Sequence, residues 1–205
     1  MTKASDPASL YRSRLAERQA EARALDAQAH RIGTARLVTF LSGLALGWAI
    51  VGPGWLTSWW LVIPAIVFAG LVMAHDRVIL SRDRVRRGVA WYERALARID
   101  DTWPGQGPAG GHFADPEHLY AQDLDLFGDG SLFQLLCTAQ TSGGEQTLAD
   151  WLTAPAGVDE VRLRQGAAIE LRPNTLFRER LATAGAEARD KVQPAALEAW
   201  ATAPP

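Results

Sequence analysis

Four side chains able to bind a metal ion stand together in the string GHFADPEHLY: His112, Asp115, Glu117 and His118. Imidazole nitrogens and carboxylate oxygens are ordinary ligands for zinc. The string lacks the HExxH spacing that sets two histidines on one helical face, and Pro116 interrupts it. A structured loop with hydrogen-bonded histidines is the expectation. Asp123, Asp125 and Asp129 alternate as in a calcium loop. That loop also needs a central glycine and a bidentate glutamate at its twelfth position, and Leu124, Leu126 and Phe127 are too apolar for it. These carboxylates are expected to cap backbone donors. Cys137 is the single cysteine, which excludes an internal disulfide and a multi-cysteine metal site. No basic or histidine neighbour in sequence favours its thiolate, so it reads as a small buried residue within a helix.

Phosphate chemistry fares no better. A Walker loop needs lysine followed by Ser or Thr at a helix start, and no Gly-Lys pair occurs in the chain, including the Gly/Pro-rich stretch from Trp103 to Gly111. Arg82, Arg84, Arg86 and Arg87 could touch nucleic-acid phosphates, but beside a membrane segment they read more simply as topology determinants. The net charge of -2 gives the whole chain no polycationic character. No catalytic residue, cofactor-binding residue, cofactor or metal ligand is expected, and the chain does not read as an enzyme.

The elements around these residues are segregated. No charged residue lies between Arg36 and Asp76, a block nearly twice the roughly 20 apolar residues that one membrane helix needs. Gly52-Pro53-Gly54 divides it, since proline lacks a backbone donor and glycine lacks helical bias. The block predicts a hairpin of two membrane helices, about Ala35–Val51 and Leu56–Met73, with a kink at Pro64. Trp48, Trp55, Trp59 and Trp60 cluster at the turn, where indoles favour the headgroup level. Arg31 and Arg36 precede the block, and Arg77, Arg82, Arg84, Arg86 and Arg87 follow it. Arginine at both outer ends places both termini on the cytoplasmic side of the inner (cytoplasmic) membrane. Thirty-six largely polar residues before the block argue against a secretory signal peptide.

Helical stripes flank the hairpin: Leu15, Ala22, Leu25, Ala29 and Ile32 before it, and Val78, Val85, Val89, Tyr92, Leu96 and Ile99 after it. Residues 1–36 carry seven positive and four negative side chains, and 76–103 carry seven and five, so both faces are mixed rather than polybasic. The hairpin brings the stripes together, and an antiparallel, coiled-coil-like pair would bury both; the alternative is that each helix lies on the membrane surface with its arginines against anionic lipid.

Further helices follow. Ser131 with Gln134 forms a capping box for a helix from Leu132. Thr141-Ser142-Gly143-Gly144 reads as a turn, and a helix over about Glu145–Leu152 turns Leu148, Trp151 and Leu152 inward. Asp159 caps a third helix, about Glu160–Leu171, with Val161, Ala168 and Leu171 inward. A fourth covers Thr175–Ala184, before a loosely ordered tail. The expected fold class is all-α. Its divisions are an amphipathic helix (1–36), a transmembrane hairpin (37–74), a second amphipathic helix (75–103), a Gly/Pro linker (104–118), a small helical domain (119–190) and a flexible tail (191–205).

Over Tyr120–Leu171 the chain resembles the core region of the MutS family of DNA mismatch-repair proteins. The resemblance rests on Thr141, Gly144, Leu148, Trp151, Leu152 and Pro155, then Arg164 with Gln165 and Glu170 with Leu171. The preceding string DLDLFG, behind a membrane hairpin, resembles a membrane-associated MutS-related subgroup. The resemblance implies mismatched-DNA binding and ATP binding for a whole family member, yet the Walker loop is missing. Phe177-Arg178-Glu179 has the letters of the family's mismatch-reading element but follows the core motif, so it reads as chance. The expectation is therefore a membrane-anchored, MutS-related fragment. Its partners would be the lipid bilayer, a MutS-like ATPase polypeptide or missing C-terminal region, a second copy of itself, and DNA by family resemblance alone. The competing expectation is a membrane-anchored scaffold or adaptor that binds a protein through its helical domain.

Overall fold

The long uncharged block does not form separate spans joined to separate amphipathic helices. In the computed structural model, which describes residues 6–51 and 57–191, each arm is one continuous helix. Helix α1 runs Pro7–Val51, and helix α2 runs Val62–Ile99 behind a 3-10 turn at Ser58–Leu61. The boundaries expected near residues 36 and 75 mark changes of solvent preference. The backbone crosses both without a break because no proline or turn cluster stands there. Gly52-Pro53-Gly54 and Trp55 lie outside the described residues, as does the tail beyond Lys191.

Pro64 corrects a second expectation. It stands in the first turn of α2, where backbone N–H groups have no helical partner to lose, so the interior kink assigned to it is replaced by a place at the helix start.

The remaining helices are α3 (Leu132–Leu136), α4 (Ser142–Thr153), α5 (Val158–Leu171) and α6 (Thr175–Lys191), with a 3-10 turn at Gly111–Phe113. Among the described residues every regular element is helical. The chain divides into a hairpin unit, Ala16–Arg86, and a second unit made of Met1–Leu15 with Arg87–Pro205, called here the C-terminal unit.

In the hairpin unit the two helices run antiparallel. Asp26 pairs with Arg86, Arg36 lies over the Phe68 ring at 5.5 Å, and Gly43 faces Pro64. Ala29 and Val78 are buried, and Ala22, Leu25, Ile32 and Val85 are half-buried, so the two predicted stripes turn inward. In the C-terminal unit Tyr92 and Leu96 continue that face, but Ile99 is exposed.

The core of the C-terminal unit is small. Phe133, Cys137 and Ala149 are buried, with Phe113, Phe127, Leu148 and Leu152 packed against them. Polar bonds tie the surrounding loops to it. Ser131 caps α3 by accepting from Gln134 N at 3.2 Å. The reciprocal half of the capping box is redirected. The buried Gln134 side chain accepts from Gly130 N (2.8 Å) and Gly105 N (3.1 Å), which fastens the Gly/Pro stretch to α3. Gly110 has φ +67°, and a Cβ there would lie 2.5 Å from the Phe133 ring, so only glycine fits.

Thr141-Ser142-Gly143-Gly144 is not a free turn. Thr141 caps α4 by accepting from Gly144 N at 3.3 Å, so the helix starts three residues before the expected position. Gly144 lets that first turn approach Ala139, whose Cβ would stand 3.0 Å from an added one. The cap of α5 is Gly157, with Asp159 and Glu160 inside the first turn, where negative charge favours the helix dipole. Helix α5 buries no residue: Val161, Ala168 and Leu171 are exposed rather than inward. Trp151 is also exposed, with the Arg164 guanidinium 3.9 Å from its ring centroid instead of a place in the core. Helix α6 continues seven residues past Ala184.

Candidate functional site

The hairpin unit carries a broad apolar surface. Leu37, Phe40, Leu44 and Trp48 on α1, and Ile63, Ile66 and Met73 on α2, are each more than half exposed. Both helices are long and apolar enough to cross a membrane, and no residue of either apolar window is buried. A core helix of a water-soluble fold would be covered. The polar atoms there are handled internally: Thr39 Oγ1 donates to Ala35 O at 2.8 Å, so its hydroxyl needs no water. Beyond the uncharged block, Asp26 accepts two hydrogen bonds from Arg86 Nη2 at 3.0 Å and has Arg82 at 3.8 Å. Arg86 thus links the two helices, while Arg82 hydrogen-bonds Asp83 on its own helix.

The residues singled out as metal or calcium candidates take structural roles. His118 Nε2 meets Thr153 O at 3.0 Å, and the Tyr120 hydroxyl donates to the same oxygen at 2.8 Å. His112 packs on Phe113, and Asp115 accepts from Glu117 N at 2.9 Å in a local turn. Among the described residues no three His, Cys, Asp or Glu side chains gather as a metal site. Among the described residues no backbone donor bonds the side chain of Asp123, Asp125 or Asp129. Asp125 instead takes a left-handed backbone (φ 46°), and its carbonyl accepts from Leu132 N. Cys137 is buried at the C-terminal end of α3 rather than inside it. Burial pushes its thiol pKa up, with the nearby Glu145 charge adding to the rise.

A site that the sequence did not announce lies in the C-terminal unit. A cleft of about 190 Å³ opens between Tyr11 at the start of α1, Trp91–Arg98 on α2, the 137–140 segment and Arg178 on α6. Tyr11 and Trp91 form its aromatic wall, 6.0 Å apart between ring centroids, and Tyr92 packs against Trp91 at 4.7 Å outside the lining. Tyr92 is fully buried and donates its hydroxyl to Glu179 at 2.9 Å. The chain matches no family model, no curated protein and no solved structure. The cleft must therefore be read from its own chemistry.

Three guanidiniums line it. Arg98 Nε donates to Leu135 O (2.7 Å) and its Nη2 to Cys137 O (2.8 Å), satisfying carbonyls at the end of α3. Burial lowers the Arg98 pKa, and the Arg94 charge one turn away lowers it further. Arg178 Nη2 donates to the Tyr11 hydroxyl at 3.0 Å, while its Nε is buried with no partner. From the sequence Phe177-Arg178-Glu179 reads as a chance match. Phe177 is indeed exposed, but Arg178 and Glu179 both serve this region. One signal was legible: Arg94 and Arg98 are like charges at i, i+4, an unfavourable pair on an isolated helix.

Proposed function

We propose that this chain is a membrane-anchored helical module, held by the hairpin and working through its C-terminal unit. The observation that carries the reading is the uncovered apolar surface from Leu37 to Val51 and from Trp59 to Met73. The uncharged part of α1 (37–51) rises roughly 22 Å and that of α2 (62–75) roughly 21 Å at 1.5 Å per residue, short of a ~30 Å hydrocarbon core. Arg36 and Arg77 supply the difference by extending their charged heads to the interface while their stems stay in the apolar layer. Arginine at both outer ends supports a two-span topology with both termini in the cytoplasm.

The MutS-like string between Thr141 and Leu171 supports a finer reading, in which the module anchors a MutS-related ATPase that supplies ATP and DNA binding. Helix α5 favours the adaptor alternative on a separate observation. Val158, Leu163 and Ile169 are each about two-thirds exposed or more, which suits a protein partner whatever its class.

Cysteine labelling in intact cells tests the anchor. A Ser58→Cys variant should react with a membrane-impermeant maleimide from outside, and Ser81→Cys only after lysis, against a silent buried Cys137. Equal labelling of both, or release of the protein by alkaline carbonate, would overturn the two-span reading. The nucleotide sequence after the Pro205 codon tests the finer one. A Gly-Lys-Ser/Thr loop in or beside that frame supports the ATPase partnership, and its absence leaves the adaptor.

A further inference from the structure

The cleft in the C-terminal unit has a charge imbalance that its own fold does not resolve. Arg98 bonds only to carbonyl oxygens, and Arg178 only to hydroxyl and carbonyl oxygens. Arg94 makes no side-chain hydrogen bond or ion pair among the described residues, although it is half-buried. Nearby acids are engaged elsewhere. Asp100 pairs with Arg12 at 3.0 Å, and Glu179 accepts from Tyr92. Glu145 has Arg189 at 2.9 Å, close enough for charge pairing though not aligned as a hydrogen bond. Three cations thus face about 190 Å³ of space with no carboxylate among the lining residues.

Partial burial makes such repulsion costly, because less solvent screens it. A dianion relieves it, and a guanidinium fork matches tetrahedral oxyanions through paired N–H bonds. Arg94 supplies a full fork, and Arg178, whose Nε is enclosed, adds its charge from over the Trp91 ring at 5.9 Å. The surroundings specify more than charge. An apolar groove shares Trp91, Ala139 and Arg178 with the cleft and continues along Leu171, Leu181 and Ala182.

We infer that this cleft binds a small soluble phosphate monoester, its phosphate between Arg94 and Arg178 and its apolar body in the adjoining groove beside Trp91. Partial burial of Arg94 beside Tyr11 and Trp91 lowers the local dielectric, which strengthens each charge-assisted bond. Arg98 is the positioning residue: its bonds to Leu135 and Cys137 hold the 137–140 wall in place.

The test uses the full chain in phosphatidylcholine nanodiscs, with no anionic lipid to compete, and phenyl phosphate as the probe in a calorimetric titration. Wild type should bind one equivalent saturably, more tightly than inorganic phosphate. Arg94→Gln should weaken binding by about tenfold or more, the loss expected of charge-assisted hydrogen bonds. Arg94 makes no side-chain bond among the described residues, so this variant should keep the wild-type circular dichroism and Tm. Arg162→Gln, on the exposed α5 surface, should bind as wild type does. Absence of saturable binding by wild type would overturn the inference. So would an Arg94→Gln affinity equal to wild type, or an equal loss in Arg162→Gln, which would mark nonspecific attraction.

Discussion

The hairpin unit and the C-terminal unit use opposite means to hold a helical fold. In the uncharged part of the hairpin unit the large apolar side chains face outward and Gly43 meets Pro64, whereas in its charged part Ala29 and Val78 turn inward and Asp26 meets arginine across the pair. In the C-terminal unit Tyr92 and Phe133 turn inward although Trp151 and Phe177 stay exposed, and polar side chains lace the loops. Tyr92, Phe133 and Gln134 are essentially fully buried there. The difference teaches what solvent each surface is built for. A lipid-facing helix gains nothing by hiding leucine from lipid, so close backbone approach and hydrogen bonds hold the pair. A water-facing unit must bury its rings and satisfy each loop donor.

Variants that sharpen this contrast differ in size. Phe133→Ala should destabilise the C-terminal unit by about 3–5 kcal/mol, seen as a lower denaturation midpoint, because Phe113 and Phe127 lose their shared partner. A change under ~1 kcal/mol would mean that the aromatic cluster is not the core. Ile66→Arg should cost about 2.5–3.5 kcal/mol of membrane insertion on translocon scales. The fraction of chains spanning the membrane should fall, with the C-terminal unit still folded. Unchanged insertion would break the comparison, since Ile66 would then not face lipid.

Gln134→Ala should cost about 1–3 kcal/mol, leaving Gly105 N and Gly130 N without their acceptor. Faster amide exchange at those two residues would report it directly. The raised Cys137 pKa predicts a pH effect of definite sign. The folded state holds the neutral thiol, so its stabilising contribution is complete below the ordinary thiol pKa. It is lost as pH rises from there through the folded value. Cys137→Ser should flatten that alkaline decline, and a decline of the same steepness would assign it to another group. The smallest effect belongs to Asp26→Asn. Its arginine partners are part-exposed to exposed, so about 0.2–1 kcal/mol is expected, fading with added salt. A larger, salt-insensitive loss would mean that this pair is shielded from water.

The sequence by itself determined the helical class, the uncharged block between Arg36 and Asp76, the inward stripes through Ala29, Val78, Tyr92 and Leu96, and the Ser131 cap. Each is a local property: periodicity, charge exclusion, or one side chain bonding a backbone three residues on. Tertiary structure decided the rest. It made α1 and α2 continuous, carried Gln134 to Gly105 rather than back to its own cap, and left α5 uncovered. It also brought Tyr11, Arg94, Arg98 and Arg178 around one cleft, although Tyr11 and Arg178 are 167 positions apart in sequence. No spacing rule reaches that far. The cleft exists because Tyr11 packs against Trp91 within the C-terminal unit, and because loops pinned by Gln134 and Arg98 leave space where charge and aromatic surface meet.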